Sequence, residues 1–313
     1  MPSSPPRSEG ARPEGEERIA KRIARAGLCS RREAEAWITA GRVVVDGEKI
    51  TSPALVVGPA TRILVDGKPL PAAEPTRLFR YHKPRGLLTT ARDPEGRETI
   101  YDKLPKNLPR LMPIGRLDLT SEGLLLLTND GELKRKLELP ATGWLRRYRA
   151  RVNGHVDPAK LAGLAKGVTV EGIDYGPIRA SLDRQQGDNA WLTLSFAEGK
   201  NREIRRVCEH LGYPVSRLIR IAYGPFQLGH LEKGEVEEVQ PKVLREQLGI
   251  AGKSPDQSGR ARAKEPSRDS GREHGRPKRA DDRKPGALKP HAARPHGPRS
   301  HGPGPHANRR RPS

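Results

Sequence analysis

Cysteine is nearly absent. Two thiols, Cys29 and Cys208, stand far apart in 313 residues, which excludes a disulfide framework and a cysteine-rich zinc site. Reduced thiols in a cytoplasm are the expectation. Aromatic residues make up 4% of the chain and apolar residues 34%, both low for a chain that is globular throughout. No apolar run approaches the roughly 18 residues that a membrane-spanning helix needs, so no membrane partner is expected. The first ten residues, MPSSPPRSEG, lack the apolar core of a signal peptide. Cofactor fingerprints are missing too. Gly252-Lys253-Ser254 ends like a phosphate loop, but Gln247 occupies the place of its first glycine, and no GxGxxG or HExxH occurs. An enzyme built on this chain is expected to use side chains alone, with no cofactor and no metal. His291, His296, His301 and His306 recur every five residues and are read as solvated tail.

Positive charge is abundant. The formal net charge is +21, and it divides unevenly. Residues 251–313 hold 17 Lys/Arg against 6 Asp/Glu, and the other 250 hold 42 against 32. Both portions are basic, which makes a polyanion the default partner, nucleic acid ahead of membrane. The segment 251–313 has almost no large apolar residue and reads as a disordered basic tail that adds sequence-blind affinity for RNA. Residues 1–16 read as disordered on the same grounds.

Between these ends two units are legible. In residues 17–75, Ile19 and Ile23 give a first helix that Gly27 ends. Ser30-Arg31-Arg32-Glu33 is a capping box that starts a second, with Ala34, Trp37 and Ile38 on its apolar face. Val43–Val45, Asp46-Gly47 and Glu48–Ile50 read as strand, turn and strand, and a similar turn recurs at Asp66-Gly67. Arg22, Arg25, Arg31, Arg32 and Arg42 gather around the two helices against Glu17, Glu33 and Glu35. That balance favours contact with phosphate over a merely solvated face.

Residues 76–250 form the second unit. It opens with LFRYHKPRGLLTT (78–90), two short strands around Lys83-Pro84-Arg85-Gly86. Its centre is LMPIGRLDLTSEGLLLLTNDG (111–131). Four leucines, Leu124–Leu127, stopped at once by polar residues, predict a strand buried on both faces. Asn129 or Asp130 should cap a helix over 132–139. The loop into this strand carries Arg116 and Asp118. Taken on residues alone, Asp118 is more readily a loop aspartate bonding its own backbone or pairing with Arg116 than a catalytic group. Further on, WLRRYRARV (144–152) reads as a strand, Asp157-Pro158 as a helix start, and 168–170 and 178–182 as strands. Residues 190–197 alternate, with Leu192, Leu194 and Phe196 on one face and Trp191, Thr193 and Ser195 on the other. Asn201 is expected to cap a helix over 202–211, with Ile204, Val207, Cys208 and Leu211 as its apolar stripe. Cys208 is therefore a core thiol. Arg202, Arg205 and Arg206 all avoid that stripe, and periodicity does not choose among them.

The first unit, with Ala-Gly-x-x-Ser-Arg-Arg-Glu-Ala at 26–34 followed by Gly41-Arg42-Val43, resembles the S4 RNA-binding module. Residues 111–131 closely resemble the signature of the RNA pseudouridine synthases of the ribosomal type, in which the aspartate of Gly-Arg-Leu-Asp is catalytic. Tyr148 matches the family's basic-residue, x, Tyr, x, x, Val arrangement, and GKNREIRR (199–206) resembles its third signature. The stretches 92–97, 101–105 and 216–220, with the basic tail, are most like the members acting on the large ribosomal subunit.

The resemblance implies an α+β chain. A small S4 module is followed by a synthase domain with a mixed, largely antiparallel sheet and flanking helices. It implies uridine-to-pseudouridine isomerisation in ribosomal RNA, with 23S rRNA as substrate and a monomeric protein. Asp118 would act as nucleophile or base, Tyr148 would stack on the flipped base, and Arg205 would pair with the carboxylate. Arg116 would fill the gap left by the base. Lys83, Lys200 and Arg202 join the five module arginines as RNA contacts. Isomerisation of 16S rRNA, or a non-catalytic S4-type assembly or rescue factor, are the alternatives.

Overall fold

A computed structural model of the chain describes residues 15–139 and 142–249. The disordered segments expected at the N-terminus and over 251–313 lie outside the described residues, apart from Gly15 and Glu16.

The first unit builds β1 (Glu17–Arg18), α1 (Ile19–Arg25), α2 (Arg31–Thr39), β2 (Val43–Val45), β3 (Glu48–Ile50), β4 (Val56–Val57), β5 (Ile63–Val65) and β6 (Lys68–Pro69). Ser30 caps α2 by the expected box: its hydroxyl accepts from Glu33 N at 3.1 Å, and Glu33 Oε2 accepts from Ser30 N at 2.8 Å. Both Asp-Gly turns take the left-handed backbone of tight hairpins, with φ of 48° and 93° at Asp46-Gly47 and 49° and 75° at Asp66-Gly67. Ile19, Ile23, Ala34, Ile38, Val43 and Ile63 close the core of this module between the helices and the four-stranded sheet β3-β2-β5-β6.

The second unit continues with β7 (Leu78–Lys83), α3 (Ile100–Lys103), β8 (Met112–Ile114), β9 (Glu122–Thr128), α4 (Gly131–Glu138), β10 (Arg146–Asn153), α5 (Pro158–Gly163), β11 (Val168–Val170), β12 (Ile173–Tyr175), β13 (Arg179–Gln186), β14 (Asn189–Phe196), α6 (Glu203–His210), β15 (Val215–Tyr223), β16 (Phe226–Gln227), β17 (Val236–Glu238) and α7 (Pro241–Leu248). Its nine-stranded sheet runs β13-β14-β10-β15-β9-β7-β17, with β8 on β9 and β16 on β15. Every pairing is antiparallel except β15 with β9, so the expected α+β architecture holds.

The leucine run is buried on both faces, as expected. Leu125 and Leu127 join the front core with α5 and α6, while Leu124 and Leu126 join the back core with α4 and α7. Two local expectations are corrected. Glu122 and Gly123 extend β9 ahead of the four leucines, into the stretch expected as the loop entering that strand. The residue before α6 is Arg202 with φ 52°, so Asn201 does not cap that helix. Strand β12 and helix α7 carried no sequence expectation. Helix α7 carries signals of its own, Pro241 in its first turn and left-handed Gly249 at its end, and it packs Leu244 and Leu248 into the back core.

Candidate active site

The loop from Gly115 to Ser121 ties β8 to β9 and is held by hydrogen bonds along its length. Gly115 N donates to Glu138 Oε1 of α4 at 2.7 Å. Thr89 Oγ1 donates to Leu117 O at 2.9 Å and accepts from Leu117 N at 3.3 Å. Gly86 N donates to Leu119 O at 2.8 Å, and Ser121 N closes the turn on Asp118 O at 3.0 Å. Arg205 Nη2 donates to Thr120 O at 3.3 Å. Contacts from α4, from the 86–89 stretch and from Arg205 of α6 thus fix the backbone on which Asp118 stands. A carboxylate held this way needs little reorganisation when a substrate arrives.

Lys83 lies directly beneath. Its side chain is fully buried, and Nζ donates to Pro84 O at 3.0 Å, Asp118 O at 3.2 Å and Ser121 O at 3.0 Å. Three carbonyls take the three protons of an ammonium, which offsets much of the several kcal/mol that burying a lone charge costs. Burial pushes this lysine down to about 8, while the charge of Asp118 pulls it back up. The expectation that Lys83 contacts RNA is therefore corrected: it props the Asp118 loop from inside and has no surface to offer.

Asp118 opens onto a cavity of about 740 Å³ that Arg116, Tyr148, Phe196, Lys200 and Arg202 also line. Strand alternation puts Tyr148 on the front face of β10, 9% exposed at the edge of the core. Its ring is stacked on Phe196 of β14 at 5.5 Å and 5°, a geometry that holds it flat. Arg116 is exposed on the rim. Arg202 and Lys200 are exposed too, Lys200 in an ion pair with Glu198 at 2.8 Å. Arg205 stands behind the loop and does not line the cavity. Besides Thr120 it bonds Val215 O at 3.2 Å, and its Nε is buried without a partner among the described residues. No ion pair joins it to Asp118 in this structure. Burial lowers its pKa, neighbouring Arg202 adds to that, and the charge of Asp118 opposes it. The two are electrostatic neighbours rather than a salt bridge.

Two further groups at the cavity escaped sequence reasoning. Glu203 is buried, with Oε2 accepting from Lys200 N at 3.0 Å and Oε1 without a partner among the described residues. Burial pushes its carboxyl up to about 7. Arg220 is 3% exposed on β15. Its Nε donates to Leu124 O at 2.7 Å, and its guanidinium lies 5.4 Å from the Tyr223 ring. The available signal for Arg220 was its place between Leu218 and Ala222 on the inward side of a strand, where a cation is out of keeping.

In the S4 module the five arginines divide. Arg42 is held by Asp66 and lies 4.6 Å over Trp37, and Arg22 bonds Glu17 and Pro59 O. Arg25, Arg31 and Arg32 are exposed. Among the described residues no group of three or more His, Cys, Asp or Glu could hold a metal, and no helix is long and apolar enough to cross a membrane.

A carboxylate-bearing cleft on a mixed sheet, joined to a small helix-and-strand module with free arginines, defines an RNA-modifying enzyme with an S4 domain. Comparison with known proteins agrees. The family described as RNA pseudouridylate synthase matches residues 77–210, and the S4 domain family matches residues 17–63. An uncharacterised RNA pseudouridine synthase of Rickettsia prowazekii is 45% identical over 231 residues, which covers 74% of this chain and 97% of that protein. Ribosomal large subunit pseudouridine synthase B of Escherichia coli K12 is 42% identical over 241 residues, covering 74% and 82%. A crystal structure of a pseudouridylate synthase aligns with a TM-score of 0.52 at 26% identity, covering 73% of this chain and 98% of that one. The chain belongs to the RNA pseudouridine synthase family.

Proposed function

We propose that this enzyme isomerises a specific uridine of 23S ribosomal RNA, acting in the cytoplasm as a monomer. The observation that carries the reading is Asp118, pinned by its loop at the mouth of a cavity whose wall is the stacked Tyr148–Phe196 pair. Pseudouridine formation breaks the bond from ribose C1′ to uracil N1 and makes one from C1′ to C5. The C5 proton leaves and N1 gains one, so nothing is added overall. One ionised carboxylate serves, as nucleophile or as base.

The target must leave its stack to reach Asp118. Tyr148, backed by Phe196, gives the extruded base an aromatic wall, and Arg116 on the rim enters the vacated space. Arg205 orients the loop from behind and supplies a positive potential at the carboxylate. Lys200 and Arg202 at the rim, with Arg25, Arg31 and Arg32 of the module, hold phosphates. The working division of the chain is 1–16 and 251–313 as disordered ends, 17–75 as RNA-binding module and 76–250 as catalytic domain. Likeness to the large-subunit synthase B supports 23S over 16S rRNA. Carbodiimide mapping by primer extension, in cells with and without the protein, tests the assignment. One stop should vanish from 23S rRNA. A stop lost from 16S instead would move the substrate to the small subunit, and an unchanged pattern in both would overturn the reading.

A further inference from the structure

The two faces of the large sheet are used differently. The front of β10 and β14 carries the core and the cavity wall through Tyr148, Ala150, Leu192 and Leu194. On the back, β7 and β9 are covered by α4 and α7. The back of β13, β14 and β10 lies open, and arginine fills it. Register sets three rows across the strands: Arg179–Ser195–Arg147, Ser181–Thr193–Arg149, and Arg184–Trp191–Arg151, the last continuing to Arg217 of β15.

An open antiparallel face is ordinarily a mixture of polar residues of both signs. This one holds six arginines and no lysine. Two of the six are neutralised, Arg149 by Asp183 at 3.2 Å and Arg217 by Glu122 at 2.5 Å. Arg147, Arg151, Arg179 and Arg184 are exposed and without an ion pair among the described residues. Arg151 and Arg217 stand directly opposite each other, an arrangement that costs sheet stability. Half-buried Trp191 sits in the same row, with Arg149 4.8 Å and Arg217 6.0 Å from its ring. Successive arginines on β10 are about 7 Å apart along the strand, comparable with phosphates on an extended single strand. Guanidinium groups around an aromatic ring on a flat sheet are how proteins take unpaired RNA, with phosphates on the cations and a base on the ring.

We propose that this back face is a second RNA-binding surface, on the side of the sheet away from Asp118, that takes a single-stranded segment with one base against Trp191. The proposal needs only that the enzyme acts on RNA, and it is independent of which uridine is modified.

The test uses the full chain and the triple variant Arg147→Gln/Arg151→Gln/Arg184→Gln, with labelled oligocytidylate as the probe, since it is single-stranded and holds no uridine. Anisotropy across a salt series should show affinity reduced roughly tenfold. The slope of log K against log salt should fall by about 2, for three lost phosphate contacts on a single strand. Isomerisation of a short stem-loop substrate should be unchanged in the triple variant. Asp118→Asn should keep the full oligocytidylate slope, which separates failure of this proposal from failure of the catalytic reading. Trp191→Leu should lose the RNA-induced quenching of tryptophan fluorescence and keep the slope. Unchanged affinity and slope in the triple variant would overturn the proposal. So would equal sensitivity toward duplex RNA, or displacement of the probe by polyglutamate as readily as by RNA.

Discussion

At the scale of single residues, burial decides role. Lys83 and Arg85 stand two positions apart in a sequence that reads as a basic turn, yet Lys83 is fully buried under the Asp118 loop and Arg85 is exposed. Asp118 gains its setting from backbone contacts rather than from a salt bridge, which leaves its carboxylate open to the cavity. Glu203 is the clearest titrating group nearby. Its carboxyl is raised from 4.5 to about 7 by burial, so the folded protein holds this proton where the unfolded chain has lost it. The sign follows: the stabilising contribution is complete below the unfolded value and is lost as pH rises through about 7. Glu203→Gln, which retains an acceptor for Lys200 N, should remove that fall. The variant should be more stable than the parent above neutrality by on the order of 2–3 kcal/mol, and matched near pH 4.5, by denaturant unfolding at a series of pH values.

Among elements, the contact between β9 and β15 matters most, because it is the parallel strand pairing of the described sheet and brings the Asp118 loop beside the cavity wall. It is close because Gly123 has no side chain. At φ 107° a β-carbon there would stand 2.3 Å from Arg220 O and 2.6 Å from Arg220 N. Gly123→Ala should cost about 3 kcal/mol or more, or yield no soluble protein, read by thermal unfolding. Helix α4 holds the other end of the loop. Glu138→Ala frees Gly115 N and should lower kcat roughly ten- to hundredfold while RNA affinity stays within about twofold, a split that single-turnover and binding measurements resolve.

Much of this scale was legible. The leucine run, the Ser30 box, the Asp130 cap and the alternation of β14 follow from periods and caps that a short window contains. What stayed hidden depends on distant chain. The left-handed backbone at Arg202 is set by the 200–203 turn, not by Asn201. Phe196 looked like core until the pairing of β14 with β10 set it diagonally across from Tyr148, ring against ring. The bare back face needed the strand order before its arginines could be assembled into rows.

For the whole molecule, the S4 module and the synthase sheet meet through polar contacts. Lys21 reaches Glu132 at 2.5 Å and Arg92 reaches Glu33 at 3.3 Å. Such exposed pairs stabilise little, and they set orientation more than strength. The basic segment 251–313 adds 11 net positive charges. Its removal should weaken RNA binding and flatten its salt dependence, with the chemical step on bound RNA unaffected. Single-turnover rates at saturating protein, compared with affinities over a salt series, separate the two.

The central claim is that the Asp118 carboxylate starts the isomerisation and is not needed to hold RNA. Tritium release from ribosomal RNA labelled at uracil C5 measures this most directly, with Asp118→Asn set beside the unaltered enzyme at equal RNA occupancy. The account predicts release by the parent enzyme, none above background by the variant, and affinities that agree within about threefold. Continued release by Asp118→Asn would contradict it.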